Sequence, residues 1–138
     1  MYTVRALVEV GGSPKEHIEK VLIKVDTQLR KEQNIDIVNT EIGEVEKKDE
    51  NIFSGFVEIE FKVKDFIKLN QFCLDYMPAT IEVLDTNKIE FKLSEFNGLI
   101  NDFLSKLHNY NMALYASVQK TKKLELMLKK KSLSSKVA

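Results

Sequence analysis

The spacing of apolar residues after Pro78, the last proline of the chain, constrains the fold more than any other feature. From residue 96 onward, large apolar residues recur in alternating steps of four and three, which is the pattern of a coiled-coil seam. We define the seam by its eight apolar members: Phe96, Ile100, Phe103, Leu107, Tyr110, Leu114, Leu124 and Leu128. Two intervening positions, Ser117 and Thr121, are polar. The spacing predicts a long helix over residues 94–131, in the form of a coiled coil.

The charge of the chain is unevenly distributed, although its net charge is zero. Residues 120–138 carry seven lysines and one acid, a net charge of +6, whereas residues 1–119 carry 14 basic and 20 acidic residues, a net charge of −6. Six of the lysines are candidates for contact with an anion or a nucleic acid: Lys120, Lys122, Lys123, Lys129, Lys130 and Lys131. Such asymmetry can direct partner binding or self-association. For residues 132–138 we predict a basic, disordered tail.

Alternating apolar residues in the first part of the chain predict a β-sheet. In residues 2–10 every second side chain is apolar, and in residues 52–63 one face carries Phe53, Val57, Ile59, Phe61 and Val63. This is the period of a half-buried strand. A short polar link joins residues 34–46 to the second of these strands, which predicts an antiparallel hairpin. Two further strands are predicted at residues 80–84 and 89–93.

Two helices are predicted between these strands from their capping residues. Ser13 is a candidate N-cap, with Pro14 at the first helical position and Glu16 completing a capping box. The second helix is predicted to begin after Asp65, a plausible cap, and to end at Pro78.

The resulting order of elements is β-α-β-β-α-β with one extra strand. The predicted fold class is α+β, a ferredoxin-like βαββαβ sandwich with a long C-terminal helix, in which residues 1–93 form the ferredoxin-like domain. A chain of 138 residues can build such a core without disulfides or metals, and one cysteine cannot form an internal disulfide. Because no apolar run approaches the ~20 residues that span a bilayer, we expect a cytoplasmic protein.

No residue pattern predicts catalysis, a metal site or a cofactor. His17 and His108 lack neighbours at metal-ligand spacing, and Cys73 lies on an apolar stripe with no histidine tied to it. Residues 11–14 join a strand to a helix, but the glycine fingerprint of a phosphate site is absent. The chain is therefore expected not to be an enzyme.

One strand resembles part of the RNA-recognition motif, which shares the βαββαβ order. Gly55 and Phe56 fit that motif, whereas Ser54 stands where a basic residue is needed. Glu58 and Glu60 would lie on the open face of the sheet and repel phosphate. We therefore interpret this segment as an ordinary alternating strand.

Three short stretches resemble small archaeal proteins of unknown function. They are residues 72–78 (FCLDYMP), residues 81–84 (IEVL) and the pair Leu107-His108. Those proteins join a ferredoxin-like core to a helical tail. The resemblance implies the same fold here, and it implies no activity and no binding residue.

These observations favour a non-catalytic binding or assembly module. It would self-associate through the seam, most simply as a dimer, or bind a helical protein partner, unless the helix packs on its own domain. Two alternatives stay open. The lysines of residues 120–131 favour nucleic-acid binding, and ferredoxin-like sheets often pair into ligand-binding dimers, which favours a small-ligand-sensing regulatory domain.

Overall fold

The computed structural model describes the backbone of residues 1–137 and the side chains of residues 1–134. The chain divides into two compact units, Met1–Glu95 and Phe96–Ala138. We call the first the α/β unit. The described elements are β1 (Tyr2–Gly12), α1 (Lys15–Lys31), β2 (Ile35–Ile42), β3 (Glu46–Asp49), β4 (Ile52–Val63), α2 (Phe66–Tyr76), β5 (Thr80–Val83) and α3 (Leu93–Val137).

The strands of the α/β unit form one antiparallel sheet in the order β2-β4-β1-β5, and β3 pairs with the first residues of β4. β1 lies between β4 and β5, and β4 lies between β1 and β2. The two βαβ segments are β1-α1-β2 and β4-α2-β5, and one strand of each lies between the two strands of the other. This is the split βαβ arrangement of the ferredoxin-like fold, and it confirms the predicted fold class.

The core lies between one face of this sheet and the helices α1 and α2. The predicted alternation of β4 is confirmed, because Val57, Ile59, Phe61 and Val63 are fully buried while the residues between them face the other side. The ring of Phe61 lies 4.7 Å from that of Phe72 on α2, measured between centroids. The other core members come from β1, α1, β2 and α2: Val4, Ala6, Val8, Ile18, Leu22, Leu29, Ile35 and Leu69.

The prediction of one continuous strand over residues 34–46 is wrong, because two separate strands form. β2 pairs with β4 from Ile35 to Ile42 with a register shift beside Val38, and pairing resumes in β3 at Glu46. Between them, the Gly43 amide donates to the Phe56 carbonyl at 2.9 Å. The antiparallel hairpin itself is as predicted.

The strand predicted over residues 89–93 is absent from the described structure. Thr86 bends the chain, because its hydroxyl both accepts from the Lys88 amide and donates to the Lys88 carbonyl. Phe91 then packs edge-on against Phe66 with 5.1 Å between ring centroids. The aromatic ring is thus covered by the start of α2, and the segment does not pair with the sheet.

The predicted start of the first helix also requires correction. β1 continues through Gly11 and Gly12, which pair with β4, and α1 begins at Lys15 with Pro14 as the N-cap. No side chain caps this helix, so the capping box of Ser13 and Glu16 does not form. The Pro14 carbonyl instead accepts from the amide of His17 at 3.0 Å.

The predicted start and end of the second helix are confirmed. The Asp65 side chain accepts from the Lys68 amide at 2.9 Å, which satisfies one amide in the first turn of α2. Met77 follows the last helical residue in the left-handed conformation, with φ of 47°, and Pro78 comes directly after it. A residue before proline avoids the helical region, which explains the stop.

Candidate interaction surface on the long helix

The eight seam residues lie on α3, and each exposes a large part of its apolar surface. Their exposed fractions range from 42% to 67%, whereas core residues such as Phe61 are at 0%. The step of four and three keeps them on one side of the helix. Contiguous exposed apolar surface of this kind marks interaction sites on soluble proteins.

The two polar seam positions are hydrogen-bonded within the helix. The Thr121 hydroxyl donates to the Ser117 carbonyl at 3.0 Å. Because this bond needs no partner chain, the interruption leaves the Thr121 hydroxyl satisfied whether or not the seam is covered. Because Ser117 and Thr121 lie between Leu114 and Leu124, the first six seam residues, Phe96 to Leu114, form an uninterrupted apolar segment. Leu124 and Leu128 form a separate pair.

Several exposed apolar residues of α3 were missed by the seam pattern. Leu104, Tyr115 and Val118 each follow a seam position directly and widen the apolar surface on that side, whereas Met112 lies elsewhere around the helix. Each of them is a large apolar residue at a position that the 4-3 pattern does not include. A search restricted to that pattern therefore misses them, although they can be read from the sequence. The apolar surface of α3 is thus wider than the seam alone.

The lysine-rich segment, residues 120–131, is helical, and we call it the basic tip. Lys120 and Lys129 are nine residues apart, roughly two and a half turns, so they lie on opposite sides of the helix. The six candidate lysines are therefore not gathered into one stripe. Nucleic-acid binding by this segment stays a prediction. The disordered tail over residues 132–138 also stays a prediction. The helix α3 is assigned through Val137, and Ala138 lies outside the described residues.

The face of the sheet opposite α1 and α2 is predominantly acidic. Glu58 and Glu60 lie on it, as predicted, and Glu41 of β2 lies directly opposite Glu58. Arg5 of β1 forms ion pairs with Glu58 at 3.5 Å and with Glu82 at 3.7 Å. One arginine thus serves two carboxylates, and the α/β unit as a whole, with 13 basic and 19 acidic residues, has a net charge of −6.

A cleft between α1 and α2 holds a hydrogen-bonded group of polar side chains. Glu32, which follows α1, accepts from the Tyr76 hydroxyl at 3.0 Å and from the Lys68 ammonium group at 3.3 Å, and both partners belong to α2. Burial, and then the hydrogen bond to the Glu32 carboxylate, raise the pKa of Tyr76 to about 12. The group ties the two helices together, and the prediction of a small-ligand sensor stays a prediction.

The candidate chemical groups of the sequence lie apart from one another. Cys73 packs against the core, and burial raises the pKa of its thiol, which disfavours the reactive thiolate. Within residues 1–134, no three His, Cys, Asp or Glu side chains are grouped so that they could hold a metal ion. In the same part of the chain, no helix combines the length and the apolar character needed to cross a membrane.

Comparisons with known proteins find similarity over nearly the whole length of this chain. It is 28% identical over 134 residues to "Uncharacterized protein MJ0538" of Methanocaldococcus jannaschii, a match that covers 91% of this chain and 50% of the relative. The chain therefore spans about half the length of that relative, whose archaeal source confirms the resemblance inferred from the sequence. No solved structure shows significant similarity. The MJ0538 family model matches residues 3–134, from β1 to near the end of α3, and the chain therefore belongs to the MJ0538 family.

Proposed function

We propose that the protein is a non-catalytic assembly module that self-associates through α3. The observation that carries this proposal is the seam, whose apolar side chains stay about half exposed along a helix of 45 residues. At 1.5 Å per residue such a helix is about 68 Å long. Isolated helices are marginally stable in water, and packing of an apolar face is what usually stabilises them.

A second copy of the chain is the occupant that the seam favours. The 4-3 spacing is the geometry in which side chains of one helix insert between those of another helix of the same kind. In the cation–π contact of this segment, the Lys106 ammonium group lies 5.6 Å from the centre of the Tyr110 ring. Such a contact attracts the ammonium group to one face of the seam aromatic, and 44% of Tyr110 remains exposed.

Light scattering on the full-length protein at micromolar concentration tests the proposal. The wild type should have the mass of a dimer or of a larger oligomer, and Leu107→Asp should shift the mass to that of the monomer, because a carboxylate in a packed seam loses its water without gaining a partner. The α/β unit should keep its thermal transition in this variant.

Ser105→Asp is the matched control, because it adds the same charge to α3 at an exposed position two residues away from the seam residues Phe103 and Leu107. It should leave the oligomer intact. A wild-type protein that stays monomeric at micromolar concentration would rule the proposal out, as would equal effects of the two substitutions.

A further inference from the structure

We propose that two copies pair their α3 helices antiparallel, centred near Ser105, and that each basic tip then lies beside the acidic α/β unit of the other copy. This inference rests on the self-association proposed above and adds its orientation and register. Three observations support it: the sizes of the facing side chains of the seam, the position of its polar residues, and the net charges of the two units.

The first feature is that aromatic and aliphatic residues occupy different positions of the seam. Phe96, Phe103 and Tyr110 each come four residues before an aliphatic member of the seam, and the aliphatic members are Ile100, Leu107 and Leu114. In a parallel pair each residue meets its own copy, so that two aromatic rings share one layer and two smaller chains share the next. Cores pack best when large residues face small ones.

The antiparallel register centred at Ser105 provides that match at every layer. Residues whose numbers lie equally far on either side of 105 face each other. The facing pairs are Phe96 with Leu114, Phe103 with Leu107, and Tyr110 with Ile100. Each aromatic ring therefore packs on one aliphatic side chain, and all six members of the uninterrupted segment are used in both copies.

The second feature is the position of the polar residues. In the same register Ser117 faces residue 93 of the other copy, at the start of its α3, and Thr121 lies beyond that point. Both therefore fall outside the paired segment. In a parallel pair they would form two consecutive polar layers, followed by Leu124 and Leu128, and the seam would be divided.

The third feature is the charge. The α/β unit has a net charge of −6, and residues 96–138 have a net charge of +6, almost all of it in the lysines after residue 119. A parallel pair would place the two basic tips side by side along their whole length. The antiparallel pair separates them and extends each one past residue 93 of the other copy, where the acidic α/β unit begins. Complementary charge of this kind steers association and fixes orientation.

Cysteine cross-linking in the full chain with Cys73→Ala distinguishes the orientations. A mixture of Ile100→Cys and Tyr110→Cys proteins, of different tags, should form a disulfide-linked heterodimer under diamide, because the two positions face each other. Tyr110→Cys alone should not cross-link, since the two copies of residue 110 would be ten residues, about 15 Å, apart along the pair. A disulfide needs Cα atoms closer than ~7 Å.

The outcomes separate this inference from the proposed function. Cross-linking of Tyr110→Cys with itself indicates a parallel pair and overturns the inference, while self-association stands. A dimeric mass with no cross-link in either experiment overturns the register. A monomeric mass for the Cys73→Ala protein, with its thermal transition retained, overturns both.

A charge variant provides a second measurement with opposite expectations. Changing Lys122, Lys129 and Lys130 to Gln should weaken the antiparallel dimer at low salt by roughly fivefold or more in Kd, because each of the two tips loses three attractions to the acidic unit of the other copy. In a parallel pair the same change would relieve repulsion and tighten the dimer. Near 1 M salt, where the Debye length is about 3 Å, the variant and the wild type should converge. Tighter binding of the variant would overturn the inference.

Discussion

The ring of Phe56 lies directly over Gly43, on the face of the sheet opposite the helices. A Cβ atom added to Gly43 would approach two atoms of that ring to 2.4 Å, well inside any normal contact. The same two residues are joined by the hydrogen bond from the Gly43 amide to the Phe56 carbonyl. An aromatic ring that covers a glycine on the neighbouring strand is a known device for pinning register, and here it marks the end of β2.

We expect Gly43→Ala to destabilise the α/β unit by about 1 kcal/mol, because the partly exposed Phe56 ring must move aside. In the background of Phe56→Ala, the same substitution should be neutral or slightly stabilising, since the added methyl group meets no ring and the unfolded chain is restricted. Chemical denaturation of the four proteins of this cycle gives the coupling energy. A coupling near zero would contradict the packing of Phe56 on Gly43.

Gly55 has a different role on the opposite face of the same strand. A Cβ atom there would come within 2.6 Å of Leu22 Cδ1, and Leu22 is buried to 1% exposure in the core. Because Leu22 is packed in the core and must shift to admit a methyl group, Gly55→Ala should cost roughly 1–3 kcal/mol of unfolding free energy. Gly11→Ala is the matched control in the adjacent strand, where the nearest atom is 3.8 Å away. Equal stability of the two variants would contradict this close approach of α1 to β4.

The strand that carries Gly55 and Phe56 illustrates what local sequence can predict. Its alternation follows from the period of two of an extended chain with one covered face, so the burial of Val57 to Val63 is predictable without knowing the fold. The contacts of Gly55 and Phe56 are not, because their partners Leu22 and Gly43 are distant in sequence. The same residues suggested a nucleic-acid motif, and their contacts in the structure are with the protein itself.

The wrong predictions have the same cause. Residues 89–93 alternate well enough for a strand, but Phe91 finds Phe66 as a partner, a contact that no local pattern contains. For the seam on α3, the sequence pattern predicts even less about the contacts. A 4-3 spacing specifies that one side of a helix is apolar, and the identity of what covers that side depends on surfaces that periodicity does not describe.

The two predicted helix caps provide a direct comparison of pattern with contact. Asp65→Ala should lower the unfolding free energy by about 1 kcal/mol, because the Lys68 amide loses its acceptor. Ser13→Ala should change it by less than about 0.5 kcal/mol, because no side chain caps α1. Urea denaturation monitored by circular dichroism measures both. A cost for Ser13→Ala equal to that for Asp65→Ala would contradict the structure at the start of α1.

Tyr76 should make stability fall with pH in a defined alkaline range. Its pKa is raised from 10.0 to about 12 in the folded protein, first by burial and then by its hydrogen bond to Glu32. Between these two values the unfolded chain has lost the phenol proton while the folded chain retains it. The stabilisation is therefore fully present below pH 10 and is lost as the pH rises towards 12.

Tyr76→Phe should remove this part of the pH dependence, and the lysine titrations common to both proteins cancel in the comparison. Glu32→Gln should lower the pKa of Tyr76 but leave it above 10.0, since the charge is removed and the burial stays. The difference in tyrosinate absorbance between each protein and its Tyr76→Phe counterpart gives the pKa directly. An unchanged pKa in Glu32→Gln would show that the Glu32 carboxylate does not act on Tyr76.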